Sequence, residues 1–223
     1  MSPAAILVNF LTEDQDSMCN ALSVEWTITP RLAPQPWTSC NRCGGFQPFE
    51  SSGKTRLNAN GKKLDARMIY KCRTCGKTWN RPIFQRRNIR TIDPAVLEAL
   101  QSNDSAWIRL QEFDVAALRR EAGRVDEFAD VEIVRKILNN GSANAASLRI
   151  ELVVPLPTSM RLDRLLAAEL SLTRTELQVL RAEARLKIDP DEKDILRRRL
   201  RNRTVVTLSG AQNLNPPPFR KEG

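Results

Sequence analysis

The chain has 223 residues, 41% of them hydrophobic and 27% charged, the balance of an ordinary globular protein made of one medium domain or a few small modules. No run approaches the ~20 consecutive apolar residues of a membrane-spanning helix, and histidine is absent, which excludes His-based catalytic triads and mixed Cys/His zinc sites. The formal net charge of +9 is unevenly spread: residues 1–39 carry −3, 40–90 carry +11, 91–154 carry −4 and 155–223 carry +5, two basic blocks around an acidic middle.

The opening residues Ala4 to Val8 are apolar but run at once into Glu13, Asp14 and Asp16, with no Lys or Arg before Arg31. They lack the positive start and the apolar length of a secretory signal. Residues 1–23 are therefore expected to be a flexible leader, with Met18 a second candidate start, and the protein is expected to be cytoplasmic. Five cysteines in that compartment point to metal or redox chemistry rather than disulfides.

Residues 24–91 carry the sharpest signal. Cys40-Asn41-Arg42-Cys43-Gly44 and Cys72-Arg73-Thr74-Cys75-Gly76 each place two thiolates at the spacing that shares one tetrahedral ion, followed by a Gly suited to the knuckle turn. Between them, Asn60-Gly61 predicts a type I′ hairpin. Leu64, Ala66, Met68 and Tyr70 then line one face of a strand, and a third strand starts at Thr78-Trp79-Asn80 and ends near Pro82. The reading is a zinc β-ribbon in which Cys40, Cys43, Cys72 and Cys75 hold one structural Zn2+, with Cys19 a bystander. Phe49, Tyr70 and Trp79 are either its small core or a stacking platform for bases. Ser52-Gly53-Lys54-Thr55 lacks the earlier Gly and the strand–loop–helix frame of a phosphate loop.

Residues 92–154 predict a scaffold. Asp93-Pro94 opens a helix bearing Val96, Leu97 and Leu100, and further helices follow Asp104 and Asp114. Strands over 131–138 and 148–154, separated by the polar loop from Asn139 to Ser142, are expected to form a hairpin. Residues 155–210 predict a small α/β module. Thr158 or Ser159 is expected to cap a helix carrying Leu162, Leu165, Leu166 and Leu170, and Thr173-Arg174-Thr175-Glu176 is a capping box for a second helix. On that helix Arg174, Gln178, Arg181 and Arg185 share a stripe beside Leu177, Leu180 and Ala184. Short strands over 186–188 and 205–208 close the module, and residues 211–223 are expected to be disordered. The fold class is thus α+β.

Two resemblances follow from these stretches. Arg161-Leu162-Asp163-Arg164-Leu165-Leu166, with Thr173-Arg174 opening the next helix, resembles the RNA-binding module named after small-subunit ribosomal protein four. Ala184-Arg185-Leu186-Lys187-Ile188-Asp189-Pro190 stands where that module has its Gly-x-Val-x-Val-Asn-Gly turn, and Asn202-Arg203 stands where it has Gly-Asp. The resemblance implies RNA contacts at Arg161, Arg164, Thr173, Arg174 and Arg181; Gln178 and Arg185 on the arginine stripe, and Lys62, Lys63 and Arg67 on the basic ribbon, complete the expected set. From about Trp26 to Leu208 the chain also resembles a bacterial domain-of-unknown-function family, numbered 1062, on Asn58-Ala59-Asn60-Gly61-Lys62-Lys63-Leu64-Asp65, Ile69-Tyr70-Lys71-Cys72 and Thr78-Trp79-Asn80.

The expected function is a non-enzymatic, zinc-containing RNA-binding protein, ribosome-associated, with structured RNA (ribosomal or transfer RNA) as partner and neither membrane nor small-molecule substrate. Two alternatives stand beside it: a DNA-binding, transcription-associated zinc-ribbon factor, and a protein–protein adaptor. Without histidine a general base falls to Asp, Glu, Lys or Cys. Asp65, the one such group in a suggestive setting, reads as a structural hydrogen-bonding group, so no catalytic residue is assigned.

Overall fold

Two five-stranded sheets organise the described residues, and each anchors its own compact unit: residues 30–130 with 156–158, and residues 21–29, 131–155 and 159–210. The computed structural model describes residues 21–139 and 146–210. Expectations for the leader through residue 20, Cys19, the loop at 140–145 and the tail from 211 lie outside the described residues.

The first unit holds strands β2 (Gln35–Cys40), β3 (Gly45–Asn60), β4 (Lys63–Cys72), β5 (Thr78–Asn88) and β6 (Arg124–Asp126), in the order β5-β4-β3-β2-β6, all neighbours antiparallel. The β3–β4 turn differs from expectation. Asn60 pairs with Lys63, so Gly61 and Lys62 form the loop, and Gly61 alone takes a positive φ (59°). That is a turn with Gly at its first central position rather than type I′, which needs positive φ at both. β5 also runs past Pro82 to Asn88. It is the edge strand, where a residue without an N–H is tolerated.

Helices α1 (Pro94–Ser102), α2 (Ser105–Glu112) and α3 (Val115–Glu121) follow, with Asp93, Asp104 and Asp114 as N-caps, each carboxylate accepting from a first-turn N–H. They serve the sheet face that bears Leu64, Ala66, Met68 and Tyr70, all buried as the alternation predicts. Thr55 donates from its N–H to Asn103 Oδ1 (2.7 Å) and from its hydroxyl to the Leu100 carbonyl (3.0 Å), fastening β3 to the end of α1. Phe49, Met68, Tyr70, Ile108 and Leu118 form the core together with Cys40 and Cys72. The three aromatic rings belong to that core: Phe49 meets Trp79 edge-on at 6.0 Å between centroids, and Tyr70 lies 5.4 Å from Trp79. Arg81, one of the thirteen Lys and Arg residues of the basic block 40–90, is 1% exposed; its Nη2 donates to the Gln111 carbonyl (3.1 Å) and sits against Met68 Sδ.

The second unit holds β1 (Ala21–Pro30), β7 (Val131–Ile137), β8 (Ser147–Val153), β9 (Leu186–Asp189) and β10 (Thr204–Ser209), in the order β7-β1-β8-β10-β9. The expected boundaries at 23/24, 91/92 and 154/155 are not those of the units. β1, read as leader and ribbon, lies between β7 and β8, so those two strands do not form the expected hairpin. β1 runs parallel to β8, with Val24 opposite Ile150 and Trp26 opposite Leu152. The cause is the apolar alternation Val24, Trp26, Ile28 along β1, all nearly inaccessible, which needs a buried face. Asn139 holds the start of β1, accepting from the Ser23 N–H (2.8 Å) and donating to the Ala21 carbonyl (2.9 Å).

Helices α4 (Leu162–Glu169) and α5 (Arg174–Ala182) pack on this sheet through Leu162, Leu165, Leu166, Leu170 and Leu177. Neither Thr158 nor Ser159 caps α4. Its N-cap is Arg161, in extended backbone bridged to Arg199, and the Leu162 N–H is met instead by the Arg198 carbonyl (3.0 Å). The capping box of α5 forms as expected: Thr173 Oγ1 accepts from the Glu176 N–H (3.1 Å) and Glu176 Oε2 accepts from the Thr173 N–H (2.6 Å). Replacing Thr173 with Ala is expected to cost about 1 kcal/mol, readable as a lower midpoint in urea. Hydrogen bonds from the Thr173 N–H and hydroxyl hold the Glu176 carboxyl below its ordinary range. Its contribution is therefore complete above the ordinary glutamate pKa and is lost as pH falls through the lowered one.

Candidate metal centre and basic surfaces

Strand pairing delivers the four thiols to one point. Cys40 ends β2 and Cys72 ends β4, both paired with β3, so the two knuckles hang from neighbouring strand ends. In the first knuckle the N–H groups of Cys43 and Gly44 donate to the Cys40 carbonyl (3.1 and 2.9 Å). In the second, the Gly76 N–H donates to the Cys72 carbonyl (2.8 Å) and the Arg73 N–H to the Pro48 carbonyl (3.0 Å). Gly44 and Gly76 both take φ of 73°, the left-handed turn their identity was expected to serve.

The sulfurs of Cys40, Cys43, Cys72 and Cys75 all lie within 4.8 Å of one another, with Cys40 and Cys75 at 3.6 Å and Cys43 and Cys72 at 3.9 Å. A zinc tetrahedron with Zn–S bonds of about 2.3 Å has edges of about 3.8 Å, which the Cys40–Cys75 and Cys43–Cys72 separations match, so the four donors are placed to share one zinc ion. Cys40 and Cys72 are buried and Cys43 and Cys75 half-buried, in contact with the ribbon core. For Cys40, burial works to raise the thiol, but hydrogen bonds from the backbone and the neighbouring thiols outweigh it and bring it down to about 7. Cys43 is pushed up to about 12 by its hydrogen bonds to Cys75, by burial, and by the other thiols around it. Four sulfurs at this range cannot all ionise unless a cation shares them. With four protein thiolates the site is closed, and the ion it suits is structural.

The expected RNA contacts fall in two places. Lys62 lies in the β3–β4 turn and Lys63 begins β4, both exposed, while Arg67 is half-buried mid-strand on the face opposite Met68. In the other unit, Arg161 and Arg174 both turn to one carboxylate. Arg161 Nη2 donates to Asp163 Oδ2 (2.6 Å), and Arg174 Nε lies 3.8 Å from the same oxygen. Asp163 is only 6% exposed and its Oδ1 has no hydrogen-bond partner among the described residues. This buried acid was not singled out in the sequence, although its place between Arg161 and Arg164 was a usable signal. Arg164 and Gln178 are exposed. The Thr173 side chain is occupied by its capping box.

The arginine stripe is shorter than expected. α5 ends at Ala182, and Ala184 turns left-handed (φ 56°), so Arg185 leaves the helix axis and lies beside Gly210. Ala184, expected on the buried stripe, is exposed. Arg181 is paired with Asp191 (2.5 Å) and Arg185 reaches Glu183 (3.4 Å). Among the described residues no helix is long and apolar enough to cross a membrane.

Fold and site together define a mixed α+β protein with two sheets, five described α-helices and a four-cysteine centre suited to zinc. Residues 57–192 match the family described as "Protein of unknown function (DUF1062)", and the chain belongs to that family. The match takes in Cys72 and Cys75 and begins after Cys40 and Cys43. No curated protein and no solved structure matches the chain.

Proposed function

We propose that this chain is a non-enzymatic, zinc-stabilised protein that binds structured RNA, ribosomal or transfer RNA being the class implied by the resemblance of its C-terminal residues. The observation that carries the reading is the meeting of two helix starts at Asp163. The first residues of α4 and α5 bring Arg161 and Arg174 to one buried carboxylate, with Arg164 exposed on the first turn of α4. Helix N-termini carry partial positive charge, so arginines placed there add to a field that favours phosphate. Asp163 holds the Arg161 guanidinium by a hydrogen bond (2.6 Å), which lowers the entropy that side chain loses on binding, and Arg174 lies 3.8 Å from the same oxygen.

The zinc centre enters this reading only as the element that folds the ribbon. A general base is assigned to no residue, and the closed thiolate set has no position for water. The test is fluorescence anisotropy of labelled ribosomal and transfer RNA fragments over a salt series. The wild type is expected to bind with an affinity that falls steeply as salt rises, since displaced counterions dominate. Arg164→Glu with Arg174→Glu is expected to weaken binding at least tenfold. Affinity that is flat in salt, or unchanged in that double variant, overturns the reading. Tighter binding to duplex DNA of equal length would favour the transcription-associated alternative, and a protein complex that survives nuclease would favour the adaptor.

A further inference from the structure

The ribbon sheet has a second face, and its chemistry differs from the first. Opposite the helices, β3 and β4 present Lys54, Arg56, Arg67 and Lys71. The register sets Arg56 directly across from Arg67 and Lys54 across from Ile69, with Lys71 the next outward residue along β4. On β5 the residues opposite Lys71, Ile69 and Arg67 are Thr78, Asn80 and Pro82, none of them charged. Lys54, Arg56 and Lys71 are exposed and Arg67 is half-buried.

Like charges set directly across a strand pair repel, as Arg56 and Arg67 do, and the two acids of this face, Glu50 across from Lys71 and Asp65 across from Asn58, are engaged elsewhere. Glu50 is directed to Arg73 at 3.7 Å, and Asp65 Oδ1 accepts the Arg86 N–H at 2.6 Å. None of the four cations has an ion pair among the described residues; Arg56 Nε donates to the neutral Asn58 amide (3.2 Å). Neighbouring strands lie about 4.8 Å apart and alternate residues about 6.7 Å apart along a strand. The four side chains therefore form a small grid of positive charge on a rigid sheet.

The aromatic residues decide what kind of polyanion this grid fits. Phe49 and Tyr70 are buried on the helix-covered side, and Trp79 packs against both. The aromatic rings of the outer face, the exposed Phe46 on β3 and the half-buried Trp37 on β2, stand at the knuckle end beyond the grid, and Trp37 is occupied by the Arg124 guanidinium at 5.0 Å. Single strands are held by stacking of bases on aromatic rings as well as by charge, whereas an RNA double helix is gripped through phosphates and 2′-hydroxyls. We infer that the outer face of β3 and β4, through Lys54, Arg56, Arg67 and Lys71, is a second RNA contact surface that grips the backbone of double-helical RNA without reading bases. This rests on the RNA-binding reading above and adds to it a surface and a substrate class.

The test uses the full zinc-loaded chain with Lys54→Glu and Arg56→Glu together, measured against a labelled RNA duplex and a single-stranded oligouridylate of equal length. Arg120→Glu, an exposed cation on α3, serves as the control. The wild type is expected to prefer the duplex at least tenfold. The double variant is expected to lose at least tenfold in duplex affinity, with a salt slope shallower by about two, while Arg120→Glu changes neither. Zinc content and the melting curve verify that the variant is folded. Should it lose its zinc, Lys54→Gln with Arg56→Gln gives the same direction of change with a smaller drop.

Equal binding of the single strand overturns the backbone-gripping assignment. Unchanged duplex affinity in the double variant, with loss only in the Arg164→Glu and Arg174→Glu protein, overturns this surface and leaves the broader reading standing. No RNA binding by the wild type overturns both, and capture of a nuclease-resistant protein partner that the double variant alone abolishes assigns the face to protein instead.

Discussion

Serine in place of Cys72 is expected to empty the metal centre and unfold the ribbon unit, the largest effect anticipated for any single substitution in this chain. Cys72 closes β4, its sulfur lies 3.9 Å from that of Cys43, and the residue is buried in the same cluster as Phe49 and Tyr70. Structural zinc contributes about 10–16 kcal/mol of apparent folding free energy in small metal modules, as much as the whole net stability of an ordinary domain, about 5–15 kcal/mol. Losing one of four ligands therefore outweighs what the small apolar core retains. Metal analysis should fall from one zinc per chain to near none, and the near-ultraviolet dichroism of the buried Tyr70 and the half-buried Trp79 packed on it should collapse. Cys19→Ser should keep its full zinc. Full zinc in the Cys72→Ser protein would mean that the four thiols do not share an ion.

Acid should do the same reversibly. Zinc takes thiolates, and at neutral pH the metal-free cluster holds protons, Cys43 above all, because its neighbours and its burial push it to about 12. Metal binding expels those protons, so the bound thiols titrate far below their free values. The metal's stabilisation is complete at alkaline pH and is lost as pH falls through the bound-state values. A zinc-sensitive dye should report release between about pH 7 and pH 5; release on raising the pH instead would contradict thiolate ligation.

The second large effect is expected at Trp26. Its ring is 2% exposed on β1, at the centre of the other unit, packed with Ile150, Leu152 and Leu166 in one cluster, and the Arg135 guanidinium lies 5.9 Å from its centre. Trp26→Ala removes the largest side chain of that core and leaves a cavity, a change that costs about 3–5 kcal/mol. The melting temperature of the second unit should fall by on the order of 10 °C, while zinc content stays at one per chain. An unchanged melting temperature would mean that β1 is not part of this core.

The Trp26 experiment addresses the place where sequence reading and structure part most widely. Val24, Trp26 and Ile28 alternate as a buried strand must, but they follow an unpatterned start and precede the cysteines, so proximity along the chain assigned them to leader and ribbon. β1 pairs instead with β8, whose partner residues lie more than 120 positions away, Val24 meeting Ile150. Alternation reveals that a strand has a buried face; it carries no information about which strand it will join. The same gap explains the expected hairpin of β7 and β8, two good strands in sequence that the fold separates by inserting β1.

Local chemistry was legible wherever one or two turns of chain decide it. The aspartate cap at 93, the helix starts at Asp104 and Asp114, the capping box at Thr173 and Glu176, and the glycines after each cysteine pair all act through neighbours a few residues off. The four cysteines were legible for a related reason, since two CxxC pairs leave zinc little choice of ligands in a chain without histidine. What the tertiary structure alone decided is how far the charges are free. Arg81 counted as a surface cation in sequence and is buried; Arg181 and Arg185 counted as a free stripe and reach Asp191 and Glu183. Lys54, Arg56 and Lys71 are scattered over 18 positions of sequence, and strand register brings them with Arg67 onto one open face. Charge is a property of residues, but repulsion and complementarity depend on distance, and distances across strands and between helices are set only when the chain has folded.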